Sequence, residues 1–173
     1  NTGLSVSKLC LGTMNFGEPG RGHQGDWTLG VDDARPIFQA AIEHGVNYFD
    51  CADIYGVGAS EIVVGQLLKE LLPRDEYALT TKVSMPMGRA PNQGGLSRKH
   101  IMEGVDQSLK RLGHDYVDQL IIHRHPHGIP GLAQTPIEET MEALNDVVKA
   151  GKALYLGASS MFAWQFAELQ MTA

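Results

Sequence analysis

Asn47-Tyr48-Phe49-Asp50-Cys51-Ala52-Asp53-Ile54-Tyr55-Gly56 reads as a buried strand that ends in a carboxylate and a phenol. A charge that closes a hydrophobic run is costly unless partners meet it. The rest of the sequence therefore has to supply groups that arrive beside Asp50 and Tyr55.

Working outward, apolar runs of about five residues alternate with longer segments of helical periodicity, the pattern of βαβ units in a parallel sheet. Lys8 to Gly12 is the first candidate strand, and a Gly-rich stretch from Thr13 to Gly30 follows it. A helix is predicted from Asp32 to His44, with Asp32 or Asp33 as N-cap and Gly45 as its stop. After the Asn47 to Asp50 strand, Ser60 to Leu72 reads as a helix with Ser60 near its cap and Pro73 beyond its end.

Tyr77 to Val83 is the third strand, and a loop from Ser84 to Leu96 leads to a helix capped by Ser97. In that helix Ile101, Val105, Ser108, Leu109 and Leu112 form one stripe, and Gly113 ends it. Val117 to Ile122 is a fourth strand, apolar enough to be covered on both faces. A loop from Arg124 to Thr135, a helix from Pro136 to Ala150 closed by Gly151, a strand from Ala153 to Gly157 and a helix from about Met161 complete the pattern.

Helix-to-strand connections are short, whereas three strand-to-helix connections are long and rich in Gly and Pro. In a singly wound (βα) barrel those long loops share one face, where binding sites are built. A doubly wound sheet also binds beyond its strand C-termini, so loop length alone leaves both folds open. Gly20, Gly22 and Gly25 do not have the G-x-G-x-x-G spacing of a dinucleotide fingerprint, which argues against the doubly wound Rossmann reading.

One domain is the expectation for 173 residues that are 43% hydrophobic and 20% charged. No apolar run approaches the roughly 18 residues of a spanning helix, and the N-terminus has no signal-peptide pattern, so a soluble cytoplasmic protein is expected. A formal charge of −6 without a basic cluster argues against nucleic-acid and anionic-membrane partners and for a small-molecule site. Cys10 and Cys51 are too few for a disulfide framework and are expected to be reduced and buried.

The strand ends carry Asp50 with Tyr55, then Lys82, then His123, then Ser159 with Ser160. If the strands are adjacent and parallel, these side chains converge on one mouth. An ammonium beside a phenol stabilises the phenolate. Lys82 next to Tyr55 would therefore make the phenol a better acid, with Asp50 holding Lys82 charged and in place. Tyr55 could then protonate a carbonyl oxygen while hydride arrives at carbon, and His123 could steer that oxygen. Taken singly, each residue also has an ordinary structural account: a satisfied Tyr, a solvated Lys, a structural His.

A family resemblance covers the whole sequence. Phe49 to Gly56 with Ser60-Glu61, Thr81-Lys82-Val83, Tyr116-Val117-Asp118 leading to Ile122-His123, and Gly157-Ala158-Ser159 resemble, in order, the motifs of the aldo-keto reductases. So does the opening, Thr2 to Ser7 running into Leu11-Gly12-Thr13-Met14, and the likeness is closest to bacterial members that also resemble potassium-channel β subunits. The resemblance implies an eight-stranded (βα) barrel, a TIM barrel, with NADPH as hydride donor. It also implies a catalytic set of Asp50, Tyr55, Lys82 and His123, with Gly12, Thr13, Met14, Asp50, Ser159 and Ser160 toward the cofactor. Ser160 stands where Asn is usual and Cys51 where Thr is common.

A complete barrel takes about 250 residues, and this sequence supplies five βα units, read as the N-terminal part of one barrel domain. The complement is expected in another chain or in further residues, together with the groups that stack on the nicotinamide and hold the 2′-phosphate. His123, His125 and His127, with Asp50, also allow a metal reading, but His125 and His127 fall in a Pro-Gly loop. Phe16, Trp27, Met85 and Met87 either line a substrate pocket or anchor their loops. A carbonyl-reducing enzyme is the leading expectation, and a non-catalytic regulatory subunit on the same fold is the alternative.

Overall fold

The computed structural model describes residues 2–125 and 134–173. Five parallel strands, β1 (Leu11–Gly12), β2 (Tyr48–Asp50), β3 (Ala78–Val83), β4 (Val117–Ile122) and β5 (Ala153–Ala158), lie side by side in sequence order. The helices α1 (Val31–Glu43), α2 (Ala59–Leu71), α3 (Arg98–Leu112) and α4 (Ile137–Lys149) connect them, and α5 (Ala163–Thr172) follows β5. Every expected strand and helix forms. The strand order is that of a singly wound barrel, not of a doubly wound sheet whose order reverses at a switch point.

Side chains alternate between two faces of the sheet. Phe49, Leu79, Leu120 and Ile122 turn outward into the core with Phe38 of α1, Val64, Leu67 and Leu68 of α2, Ile101 and Leu112 of α3, and Leu144 and Val147 of α4. Phe38 joins strand to helix by stacking on Phe49, ring centroids 5.6 Å apart, and it meets Phe16 at 5.2 Å. Each fully buried Leu or Phe contributes about 1.5–3 kcal/mol, so this layer is the main apolar contribution to stability. On the concave face the Tyr48 hydroxyl donates to Gln119 Oε1 at 2.6 Å and accepts from Thr80 Oγ1 at 3.1 Å, tying β2, β3 and β4 below the strand ends.

Boundaries differ from the sequence expectation where local polar contacts intervene. β1 pairs only through Leu11 and Gly12; before it Ser7 Oγ donates to the Leu9 carbonyl at 2.5 Å, and the Ser7 amide donates to Asn47 Oδ1 at 2.7 Å beside the start of β2. Gly30, not Asp32 or Asp33, is the N-cap of α1, and the two aspartates lie in its first turn, where their charges meet the positive end of the helix dipole. Ser60 lies inside α2 behind the left-handed Gly58 cap, its hydroxyl donating to Thr13 O at 2.8 Å. Ser97 caps α3 as expected, accepting from the His100 amide, and Gly113 stops it at φ 66°.

α2 and α3 pack closely at Gly65, where a side-chain carbon would overlap the Leu112 carbonyl. At the far flank Leu154 and Leu156 of β5 are 48% and 37% exposed, and Phe162, Trp164 and Phe166 also face outward. No helix among the described residues is long and apolar enough to cross a membrane. Cys51 is buried, but Cys10 is exposed, against expectation, because β1 begins only after it. Both are free thiols.

Candidate active site

The C-terminal ends of β2, β3 and β4 bring Asp50, Lys82 and His123 to one mouth, and a tight turn after β2 returns Tyr55 to it. Parallel register sets Asp50 opposite Thr80, one alternation below Lys82, so both charged side chains project from the concave face. Lys82 Nζ donates to Asp50 Oδ2 and to Cys51 O, each at 2.7 Å, and to the Tyr55 hydroxyl at 3.3 Å. All three ammonium donors are thus satisfied on a side chain only 6% exposed. The His123 ring stands edge-on to Tyr55, centroids 5.9 Å apart at 86°. The four residues named from the sequence meet at one point.

Electrostatics sort them into roles. Burial pulls the Lys82 ammonium down, but the Asp50 hydrogen bond and charge outweigh it, and the net shift is upward, so Lys82 stays protonated. His123 is pushed down to about 4, first by burial and then by the Lys82 and Arg124 charges, so its ring is neutral near pH 7. A neutral imidazole has one N–H to give and one nitrogen to accept, and His123 Nδ1 is buried without a hydrogen-bond partner.

The Tyr55 turn is unusual in its backbone. Gly56, Val57 and Gly58 all have positive φ, at 57°, 49° and 89°. Glycine takes this region readily, but a β-branched Val there is a genuine outlier, and such outliers mark functional sites when the surroundings over-determine them. Arg21 Nη2 donates to Val57 O at 3.2 Å, which binds the long β1–α1 loop onto the turn, and within that loop Gln24 Nε2 donates to Met14 O.

Among the residues expected near a cofactor, Gly12 has open space where a side chain would be. Met14 is 48% exposed. The Thr13 hydroxyl is buried and donates to Asp50 O at 2.9 Å, so it fixes the backbone of β2. Ser159 and Ser160 hold their hydroxyls 3.2 Å apart at the end of β5, and Ser160 has φ 50°.

His125 does not join Asp50. It is buried against α5, 3.8 Å from Glu168 Oε2, with its ring 6.1 Å from that of Trp164. His127 lies outside the described residues. Phe16 is a loop anchor in the core, Met85 and Met87 are half-buried, and Trp27 is 49% exposed on the loop between β1 and α1. A cleft of about 940 Å³ opens along the β5 flank and contains none of Asp50, Tyr55, Lys82 and His123.

The sequence reading missed a buried ionic group beneath the site. Glu61, 0% exposed, accepts from Arg111 Nε at 2.6 Å and from Thr81 Oγ1 at 2.6 Å. An acid in a first helical turn and an arginine in a last one look like ordinary dipole partners, so their burial carries no mark in the sequence. Asp53, two residues before Tyr55, is also enclosed. Burial and the nearby Glu61 charge hold its carboxyl well above the usual range, and the Ile54 amide offsets part of that cost.

Residues 8–173 match the sequence profile of the Aldo/keto reductase family. The chain belongs to that family. Versiconal hemiacetal acetate reductase of Aspergillus parasiticus is 42% identical over 188 residues, covering 98% of this aldo/keto reductase chain and 52% of its own length. A probable voltage-gated potassium channel subunit beta of Arabidopsis thaliana is 43% identical over 169 residues, covering 96% of this chain and 47% of that protein. Among solved structures, a thermostable aldo-keto reductase crystallised with the inhibitor epalrestat superposes with a TM-score of 0.78 at 28% identity, over 99% of this chain and 56% of that one. The chain thus spans about half the length of the curated relatives it matches and supplies five βα units of the barrel.

Proposed function

We propose that the protein containing this chain reduces aldehydes or ketones to alcohols with NADPH as hydride donor, and that Tyr55 is the general acid. The observation that carries this reading is the Lys82 ammonium seated between Asp50 and the Tyr55 hydroxyl, at 2.7 and 3.3 Å. In a site that is also flanked by a neutral imidazole, this arrangement suits proton delivery to a carbonyl oxygen.

The residues fit a nicotinamide group. Gly12 leaves open space beside Asp50, and the Ser159 and Ser160 hydroxyls stand at the end of β5 as hydrogen-bonding groups for a carboxamide. When bound, the reduced cofactor supplies the hydride. Tyr55 Oη gives its proton to the carbonyl oxygen, Lys82 stabilises the phenolate that remains, and Asp50 keeps Lys82 charged and in place. His123, neutral, orients the carbonyl oxygen through its one N–H. The domain, in this reading, is the N-terminal part of one barrel whose remaining strands come from another chain or from further residues. The two free thiols suit a cytoplasmic setting.

The channel-subunit relative, as similar to this chain as the reductase is, supports a second reading in which the fold serves as a non-catalytic regulatory subunit. Loss of NADPH absorbance on addition of small aldehydes to the full-length protein separates the two. Tight cofactor binding without turnover on any aldehyde or ketone would rule out the enzyme.

A further inference from the structure

Tyr55 and Lys82 are held at 3.3 Å by two chain segments, and one buried ionic group touches both. On the Tyr55 side, the turn runs through three positive-φ residues to Gly58, whose missing side chain leaves room for Arg111, since a carbon there would overlap Arg111 Cδ and Nε. The backbone behind the acid therefore rests on the guanidinium stem. On the Lys82 side, Thr81 Oγ1 donates to Glu61 Oε1 at 2.6 Å from the residue just before Lys82. Glu61 Oε2 accepts from Arg111 Nε at 2.6 Å, which closes the link between α2, β3 and α3, and within α3 Arg111 Nη2 donates to Ser108 Oγ at 3.1 Å. The Asp53 amide also donates to Lys82 O at 3.3 Å, so the two segments are joined again between the acid and its partner.

We propose that Arg111, Glu61 and Thr81 are positioning residues that set the Tyr55 to Lys82 distance and so the efficiency of proton delivery. This rests on the reading of Tyr55 as the general acid. The geometry separates the group from a generic ion pair. Lys99 and Glu103, on the exposed face of α3, pair at 2.5 Å but touch neither segment. The Glu61 carboxylate is instead wholly buried, in a first turn whose preceding residue, Gly58, is in the left-handed region. The strain at Val57 is sustained because this support lies beneath it.

The test uses the full-length protein with two readouts, steady-state reduction of an aldehyde and the fluorine NMR signal of 3-fluorotyrosine at position 55, assigned by its loss in Tyr55→Phe. Thr81→Val removes one hydroxyl from the group, and Glu61→Gln with Arg111→Met removes both charges while keeping shape. Arg111→Lys keeps both charges but not the guanidinium fork, and Lys99→Met is the control. The double variant is expected to lower kcat about tenfold or more at unchanged KM, because a small misplacement of a reacting group is costly, and to shift or broaden the position-55 resonance. Thr81→Val should do both to a smaller degree, Arg111→Lys should restore part, and Lys99→Met should do neither. An unchanged resonance and kcat in Thr81→Val would overturn the proposal, whether or not the double variant folds. If Tyr55→Phe itself retains full activity, the acid assignment fails while the fluorine signal still reports whether the turn is held.

Discussion

Replacing Lys82 with Met keeps the length of the side chain and deletes its charge, and its effect follows from distances in the site. Unit charges 3.3 Å apart interact by about 5 kcal/mol at an effective dielectric constant of about 20, which is the stabilisation the ammonium offers to a Tyr55 phenolate. Asp50, 2.7 Å from the same nitrogen and so at most about 6 Å from the phenolate oxygen, opposes that field by about 3 kcal/mol, and about 2 kcal/mol remains. At about 1.4 kcal/mol per tenfold, Lys82→Met should lower the chemical rate by about 10–30-fold. Single-turnover reduction of an aldehyde by the NADPH-loaded full-length protein reads this directly, because slow product release cannot mask the step. A rate within about threefold of the unmodified protein, or a change in KM alone, would refute the electrostatic role given to Lys82.

Burial holds His123, His100 and His114 below the ordinary histidine value, His123 at about 4. Between about 6.5 and 4 the unfolded chain binds protons that the folded chain does not. Stability should therefore fall as pH drops through that window, and a thermal midpoint that is flat across it would contradict the buried neutral histidines. Asp53 acts with the opposite sign, since above 3.8 the unfolded chain gives up a proton that the folded one retains, so the group costs stability as pH rises. Asp53→Asn should raise the thermal midpoint at neutral pH but not below 3.8, and a lowered midpoint at neutral pH would be the contrary result. Gly65→Ala pushes a methyl group into the Leu112 carbonyl and should destabilise the protein by about 1–3 kcal/mol despite the better helix propensity of Ala, as read by denaturant unfolding; a stabilised variant would contradict the close helix packing.

Much of this architecture is legible in the sequence because strand and helix periods differ and glycines mark the stops. β4 spans Val117–Ile122 as its apolar run predicts, and Ser97 caps α3 as its spacing predicts. Asp50, Tyr55, Lys82 and His123 are visible because each is a polar residue closing an apolar run, and parallel neighbours must bring such ends together. The errors have local causes. Asp32 looks like an N-cap, yet the Ala34 amide bonds Gly30 O one turn earlier. Cys10 looks buried inside an apolar run, yet β1 begins only at Leu11, and Ser7 and Leu9 before it bond to each other locally. Glu61 and Arg111 lie 50 positions apart, and only the packing of α2 on α3 reveals that they meet. No periodicity encodes such a pair.

Tyr55 carries the central claim, and replacing it with Phe in the full-length protein removes one hydroxyl and leaves the ring beside His123 in place. Following NADPH absorbance with an aldehyde, the expected result is turnover by the unmodified protein and a loss of about 10²–10⁴-fold in Tyr55→Phe, with cofactor affinity nearly unchanged. Comparable turnover in Tyr55→Phe would contradict the assignment of Tyr55 as the acid.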